Sequence, residues 1–203
     1  SRAVPGSSAL AINRNTRMPI VHLIEGPVGA GKSTFSASLS SRTRGVHIAL
    51  DEWFAKLFSP DRPEGDFIPW YISRKERLLE LIWAHSKAVL ASGSDVILEL
   101  GLIQKEQRLK FCRRVINERY DLIMYELDAP REIRRARVQH RNEHQGPTFS
   151  MVVPEQIFEI ASNLWEPSDE FEREEYPVEY VSSVLSNELM AEHSFNGTPN
   201  GAR

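Results

Sequence analysis

The sequence is poor in the features that commit a chain to a compartment or a cofactor. Among its 203 residues there is one cysteine, Cys112. No internal disulfide can form, and no multi-cysteine zinc or iron–sulfur site can be built. Cys112 reads as a small apolar residue on a helix. No apolar run approaches the ~20 residues that span a bilayer, so no membrane partner is expected. Nor does charge of one sign dominate: Lys plus Arg number 25 and Asp plus Glu 28, a net −3. That balance argues against a protein devoted to nucleic-acid backbones, although an acidic chain can still carry a local basic groove. Among the 6 histidines, His140 and His144 stand at a helical spacing, but no third ligand accompanies them, which argues against zinc. With 41% apolar and 26% charged residues, what remains is a single domain able to bury its own core, of the cytoplasmic type, monomeric or homodimeric.

Residues 1–18 carry Pro5, Gly6 and three arginines without acid or apolar periodicity. They read as a disordered leader, and the lack of an amphipathic helix disfavours a transit peptide. Residues 186–203, with Gly197, Pro199 and Gly201, read as a disordered tail. Between them, residues 19–185 alternate β-rich runs and helical patterns. Strands are expected at Ile20–Ile24, Val46–Leu50, Asp95–Leu100, Leu122–Leu127 and Val178–Val184. Helices are expected at Ser33–Arg42, from Trp53 to Phe58, and at Tyr71–Ala91, Gln104–Arg119, Pro130 to about Arg141, and Pro154–Trp165. A loop with Pro60, Pro63, Gly65 and Pro69 separates the second and third helices. There is no internal repeat. Such alternation predicts a mainly parallel five-stranded sheet with helices on both faces, a three-layer αβα fold.

The sharpest signal is Gly26-Pro27-Val28-Gly29-Ala30-Gly31-Lys32-Ser33, which fits G-x-x-x-x-G-K-[ST] at every fixed position. A strand pattern leads in and a helix pattern leads out. This arrangement points successive backbone N–H groups and a helix N-terminus at a phosphate chain. Gly29 and Gly31 let the backbone come close, Lys32 can reach β- and γ-phosphates, and the Ser33 hydroxyl can sit on Mg²⁺. Thr34 is expected to help at the α-phosphate or simply to start the helix. No N-K-x-D segment selects guanine, so ATP is the expected nucleotide.

The layout after this loop is similar to that of small P-loop kinases of the nucleoside-kinase-like kind. More closely, the chain resembles the AAA-type P-loop kinases grouped with zeta toxin and chloramphenicol phosphotransferase. The matching segments are the Gly26–Ser33 loop, Leu50-Asp51-Glu52-Trp53, Asp95 through Gly101, and Leu127-Asp128-Ala129-Pro130 running into Arg137-Val138-Gln139-His140-Arg141-Asn142. The resemblance covers Ile20 to Val184. None of these segments names a substrate.

Beyond the loop, several residues carry expectations. Asp51 ends a strand, where open α/β sheets bind ligands. It is expected either to take the proton of an attacking hydroxyl, as the resemblance implies, or to cap the next helix. Glu52 is the reserve base. Glu99 ends the third strand and could hold Mg²⁺ through water beside Ser33, bind substrate, or pair with a nearby cation. Arg134, Arg137 and Arg141 share one helical face while Arg135 turns away. Three guanidiniums there would stabilise a transferring phosphoryl group. The resemblance makes this helix a lid, and Arg137 and Arg141 fit its pattern best. Asn142 and the Gly146-Pro147-Thr148-Phe149 loop are expected to accompany it. Arg108 reads as surface charge, and the acidic stretch Glu166–Glu175 as a solvated surface. Trp53, Phe54, Phe58, Phe67, Trp70 and Tyr71 either pack under a loop or stack on a ring-bearing acceptor. The expected activity is transfer of the γ-phosphoryl of Mg-ATP to the hydroxyl of a small molecule: an antibiotic, a sugar or sugar nucleotide, or a nucleoside. The competing expectations are a nucleotide-dependent switch acting on a protein partner and a plain ATPase.

Overall fold

Short β-branched runs and longer amphipathic segments alternate along the chain, and the computed structural model turns them into a single sheet with helical cover. It describes residues 17–65, 67–146, 149 and 151–183. The expected leader, apart from Arg17 and Met18, and the expected tail lie outside these residues, as do Pro147, Thr148 and Val184. Among the described residues no helix is long and apolar enough to cross a membrane.

The strands are β1 (Ile20–Glu25), β2 (Val46–Ala49), β3 (Val96–Glu99), β4 (Asp121–Asp128) and β5 (Val178–Ser182). The helices are α1 (Lys32–Thr43), α2 (Leu50–Leu57), α3 (Phe67–Ala91), α4 (Lys105–Asn117), α5 (Arg131–His144), α6 (Glu155–Leu164) and α7 (Glu170–Glu175). All strand pairs are parallel, in the order β2-β3-β1-β4-β5. In the central register, Val21 stands between Val96 on β3 and Leu122 on β4. The chain leaves β1 for the edge at β2, returns to β3, then crosses to β4 on the other side. That reversal opens a crevice at the carboxyl ends of the central strands.

Strand alternation divides the core in two. Val21, Leu23, Val96, Leu98, Leu122 and Met124 pack with Phe54, Leu78, Trp83 and Val115 of α2, α3 and α4. Ile24, Ile97, Tyr125 and Leu127 pack with Phe35 and Leu39 of α1. Each wholly buried aliphatic side chain contributes roughly 1.5–3 kcal/mol relative to exposure. Packing against the sheet, more than helix propensity, therefore holds these helices in place. Cys112 belongs to the first cluster, and burial pushes its thiol up to about 12, which suits an inert core residue.

Several boundaries differ from the sequence reading. The third helix begins at Phe67, not Tyr71, and takes Pro69 into its first turn. A first-turn N–H has no intrahelical partner, so proline is tolerated there. The second strand stops at Ala49, and Leu50 and Asp51 already belong to α2.

Arg108 and, within the acidic stretch, Glu172 depart from their surface reading, while Glu166, Asp169, Glu170, Glu174 and Glu175 are exposed as expected. Arg108 is fully buried, and its Nε and Nη2 donate to Glu172 Oε1 and Oε2, each at 2.9 Å. Its Nη1 lies 3.4 Å from the carbonyls of Leu102 and Ile103. Helical periodicity could not reveal a partner 64 residues away. A buried pair of this kind is costly to break, because removing one partner strands the other charge. Glu172→Ala is therefore expected to lower the unfolding free energy by about 3–5 kcal/mol in urea titrations, and Arg108→Met with Glu172→Met to recover most of that loss.

Candidate active site at the carboxyl edge of the sheet

The glycine-rich loop joins the end of β1 to α1, whose N-cap is Gly31. Two of its glycines are required by the chain itself. A Cβ on Gly26 (φ +150) would stand 2.5 Å from the Leu127 carbonyl oxygen. One on Gly29 (φ +80) would stand 2.6 Å from the Arg134 carbonyl oxygen. No side chain fits at such distances, and positive φ adds backbone strain for any other residue. Inside the loop the Ala30 N–H donates to the Pro27 carbonyl at 3.1 Å. Lys32 Nζ donates to the carbonyls of Gly26 at 2.8 Å and Pro27 at 3.1 Å. Thr34 is exposed on the first turn of α1 and does not line the adjoining cavity.

Ser33 and Glu99, read from the sequence as two parts of one cation site, meet: Ser33 Oγ donates to Glu99 Oε1 at 2.9 Å. His47 Nε2 lies 3.3 Å from Glu99 Oε2. Burial pushes the Glu99 carboxyl up, but His47, Lys32 and Ser33 together hold it below the ordinary range. An ionised carboxylate beside a hydroxyl is the hard-oxygen donor set that Mg²⁺ accepts, with phosphate oxygens and waters completing its shell.

The arginines of α5 part company. Arg134 is buried and turns under the loop, donating from Nε to the Ala129 carbonyl and from Nη1 to the Val28 carbonyl and Ser162 Oγ, each at 3.0 Å. Its guanidinium supports the loop's shape from behind. Arg137 donates to Ser183 Oγ at 2.9 Å and to the Ser183 carbonyl at 3.1 Å, next to Gly31. Arg141 lines the cavity, and its Nε is buried without a hydrogen-bond partner among the described residues. Burial lowers its pKa while Asp51 and Glu99 act against that fall. Arg135, as expected, faces away, onto Glu132, Glu155 and Glu159.

Asp51 is the second residue of α2. Ala49 occupies the N-cap position, with no side-chain capping bond, so the capping alternative has no support. The Asp51 carboxyl is open to the cavity by surface area, yet it is enclosed by the mass of the protein. Burial and the neighbouring Glu99 push its pKa up, while Lys75, Lys32 and Arg141 pull it back. Glu52 is also exposed and also lines the cavity, where it is engaged with Lys56 at 2.6 Å. In the aromatic group, Trp53, Phe54, Phe58 and Trp70 pack on the core, Tyr71 packs there and also lines the cavity, and Phe67 lines the cavity.

Two charged residues of this region escaped the sequence reading. Glu25, the last residue of β1, is wholly buried. Its Oε2 accepts the Leu102 N–H at 3.0 Å, and its Oε1 has no partner among the described residues. Burial pushes the carboxyl up to about 7, against the pull of Lys32, Arg108 and Lys75. Lys75 of α3 donates from Nζ to the Gly101 carbonyl at 2.9 Å and lines the cavity. Burial lowers its pKa, opposed by Asp51 and Glu25. Position offered the one available signal for Glu25, a carboxylate where a buried strand enters a phosphate-binding loop.

Lys32, Ser33, Asp51, Lys75, Glu99 and Arg141 line one cavity of about 1470 Å³, which runs from Gly29 past Asp51 and Glu99 to α3, α4 and α6. Single-ligand pockets span roughly 300–1,000 Å³, so this one has room for a nucleotide and a second molecule. A glycine-rich loop opening a helix at the switch point of a parallel sheet defines a P-loop NTPase with a kinase-like layout. The chain belongs to the AAA domain family, whose model matches residues 21–166, and the family supports ATP as its nucleotide. No curated protein matches the sequence. Among solved structures it is similar to a gluconokinase from Sinorhizobium meliloti, with 18% identity, a TM-score of 0.51, and coverage of 90% of this chain and 99% of that one. It is also similar to Kti12 from Chaetomium thermophilum in complex with ADP-AlF3, with 15% identity, a TM-score of 0.61, and coverage of 88% and 100%. A chain of the Pnkp1/Rnl/Hen1 RNA repair complex shares 22% identity at a TM-score of 0.56, matching 81% of this chain and 48% of that one. At these identities the likeness is one of fold.

Two measurements follow from this geometry. Gly29→Ala should weaken ATP binding at least tenfold in calorimetry, because the loop must leave the Arg134 carbonyl to admit a methyl group. Folding lifts the Glu25 pKa from 4.5 to about 7. Its contribution to stability is therefore complete below pH 4.5 and lost as pH rises through 7. Relative to Glu25→Gln, the wild-type protein should lose about 3 kcal/mol of unfolding free energy across that window, read from urea titrations at several pH values.

Proposed function

We propose that the protein is a phosphotransferase that moves the γ-phosphoryl group of ATP to a hydroxyl of a small molecule, with residues 19–185 as its working domain. The observation that carries this reading is the position of Asp51. A carboxylate open to the cavity stands among Lys32, Lys75, Arg141 and Glu99, in a space large enough for both reactants. In this reading Asp51 accepts the acceptor's hydroxyl proton as that oxygen attacks the γ-phosphorus. The bond from γ-phosphorus to the bridging oxygen breaks, and ADP leaves. Burial and the neighbouring Glu99 push the Asp51 pKa up, which strengthens it as a base. Backbone N–H groups between Val28 and Ser33 and the Lys32 ammonium bind the phosphates. Arg141 on the acceptor side, and Arg137 beside Gly31, offset negative charge as it spreads over the transferring group. Ser33 and Glu99 would hold Mg²⁺. When bound, the ion neutralises phosphate charge. The segments shared with the zeta-toxin and chloramphenicol phosphotransferase group support the same roles for Asp51, Arg137 and Arg141.

An acceptor screen that follows ADP release tests the reading. Asp51→Asn should bind ATP with an unchanged dissociation constant and lose at least a hundredfold in acceptor-dependent ADP release. Undiminished turnover in that variant would remove Asp51 as the base. A rate that responds to no hydroxyl compound would favour a plain ATPase or a nucleotide-dependent switch, which needs Lys32 and Ser33 but not Asp51.

A further inference from the structure

Away from the phosphate loop the cavity changes character. On α3 it is lined by Tyr71, Ile72 and Leu79, and on α6 by Ile157, Ala161 and Leu164. Positions 157, 161 and 164 follow the i, i+4, i+7 spacing of one helical face, and 72 and 79 stand two turns apart on another. Ile72, Ile157 and Leu164 remain 49%, 49% and 47% exposed. Isolated exposed aliphatics are ordinary, but here apolar side chains of α3 and one apolar face of α6 line the same cavity, with Lys75 and Glu76 standing between Ile72 and Leu79 on α3.

Two pairs of charged side chains in the same wall are engaged with one another. Arg114 holds both Glu80 oxygens, at 2.6 and 2.8 Å. Lys56 holds Glu52 at 2.6 Å, and Lys75 holds the Gly101 carbonyl at 2.9 Å. Glu76, Arg77 and Lys110 are exposed, where water solvates them. Two amides, Gln104 and Gln107, also line the cavity, but they are few for the ring of hydroxyls a sugar presents. A polyhydroxylated acceptor would leave polar groups facing hydrocarbon, which is costly. An apolar body would cover these side chains, while the polar end of the cavity, with Asp51 and Arg141, takes a hydroxyl.

We infer that the acceptor is an alcohol carried on an apolar, aromatic or aliphatic body, seated between the cavity-lining faces of α3 and α6 with its hydroxyl at Asp51. This inference rests on the phosphotransferase reading and narrows it to a substrate class.

The test is ADP release with ATP and two acceptor panels. One contains benzyl, phenethyl and cinnamyl alcohols; the other contains glucose, gluconate and ribose. Stimulation at least tenfold by the aryl alcohols over the sugars is expected, with a phosphorylated product seen by mass spectrometry. The exposed-site variants Ile72→Asn and Ile157→Asn should raise KM for the responding alcohol at least tenfold, with a smaller effect on kcat. Stimulation by glucose, gluconate or ribose and none by the aryl alcohols would overturn this inference and leave the phosphotransferase reading intact. No stimulation by either panel would overturn both. An aryl-alcohol KM unmoved by both asparagine variants would overturn the assigned seat.

Discussion

The close approach of the Gly29 backbone to the Arg134 carbonyl governs the arrangement of the nucleotide site. It presses the glycine-rich loop against the first turns of α5, while Gly26 presses the loop's other end against the Leu127 carbonyl at the end of β4. The Arg134 guanidinium then ties the same two segments together through the Val28 carbonyl. The loop and α5 therefore form one packed unit, and Arg137 and Arg141 hang from that unit on the same helical face. Arg137 is fixed to Ser183 just past β5, while Arg141 faces the carboxylates of Asp51 and Glu99. The helix that the family resemblance makes a lid is thus anchored at its N-terminal end.

A second set of contacts links the acceptor side to the same strand. Glu25, immediately before the loop, holds the Leu102 N–H. Arg108 lies near the Leu102 and Ile103 carbonyls and is itself held by Glu172. The segment from Gly101 to Gln104 lines the cavity, so buried charges at both of its ends set part of that wall. The cost of burying Arg108 is offset by two well-formed bonds to one carboxylate. Glu25 has one oxygen without a partner among the described residues, and burial raises the pKa of its carboxyl.

The phosphate loop was legible in the sequence because its eight residues are contiguous and their spacing carries the geometry. The parallel sheet was legible because buried strands leave unbroken apolar runs. The meeting of Ser33 with Glu99 followed from placing both at the carboxyl edge, and the shared face of Arg134, Arg137 and Arg141 from helical spacing. Spacing did not tell where a guanidinium on that face would end: Arg134 folds beneath the loop, since the Val28 and Ala129 carbonyls are exposed to it only in three dimensions. Arg108 and Glu172 were misread for a similar reason, being ordinary helical charges until the fold buries them together. Lys75 stood among several charges on α3, and only the depth of the cavity distinguishes it. Pro69 suggested a loop, although a helix accepts proline in its first turn.

The wedge of loop against α5 also has a kinetic meaning. A backbone already fixed by its own chain loses little freedom when a phosphate chain arrives and regains little when it departs. Nucleotide exchange would then be timed by the phosphate contacts themselves, with no remodelling step to wait for.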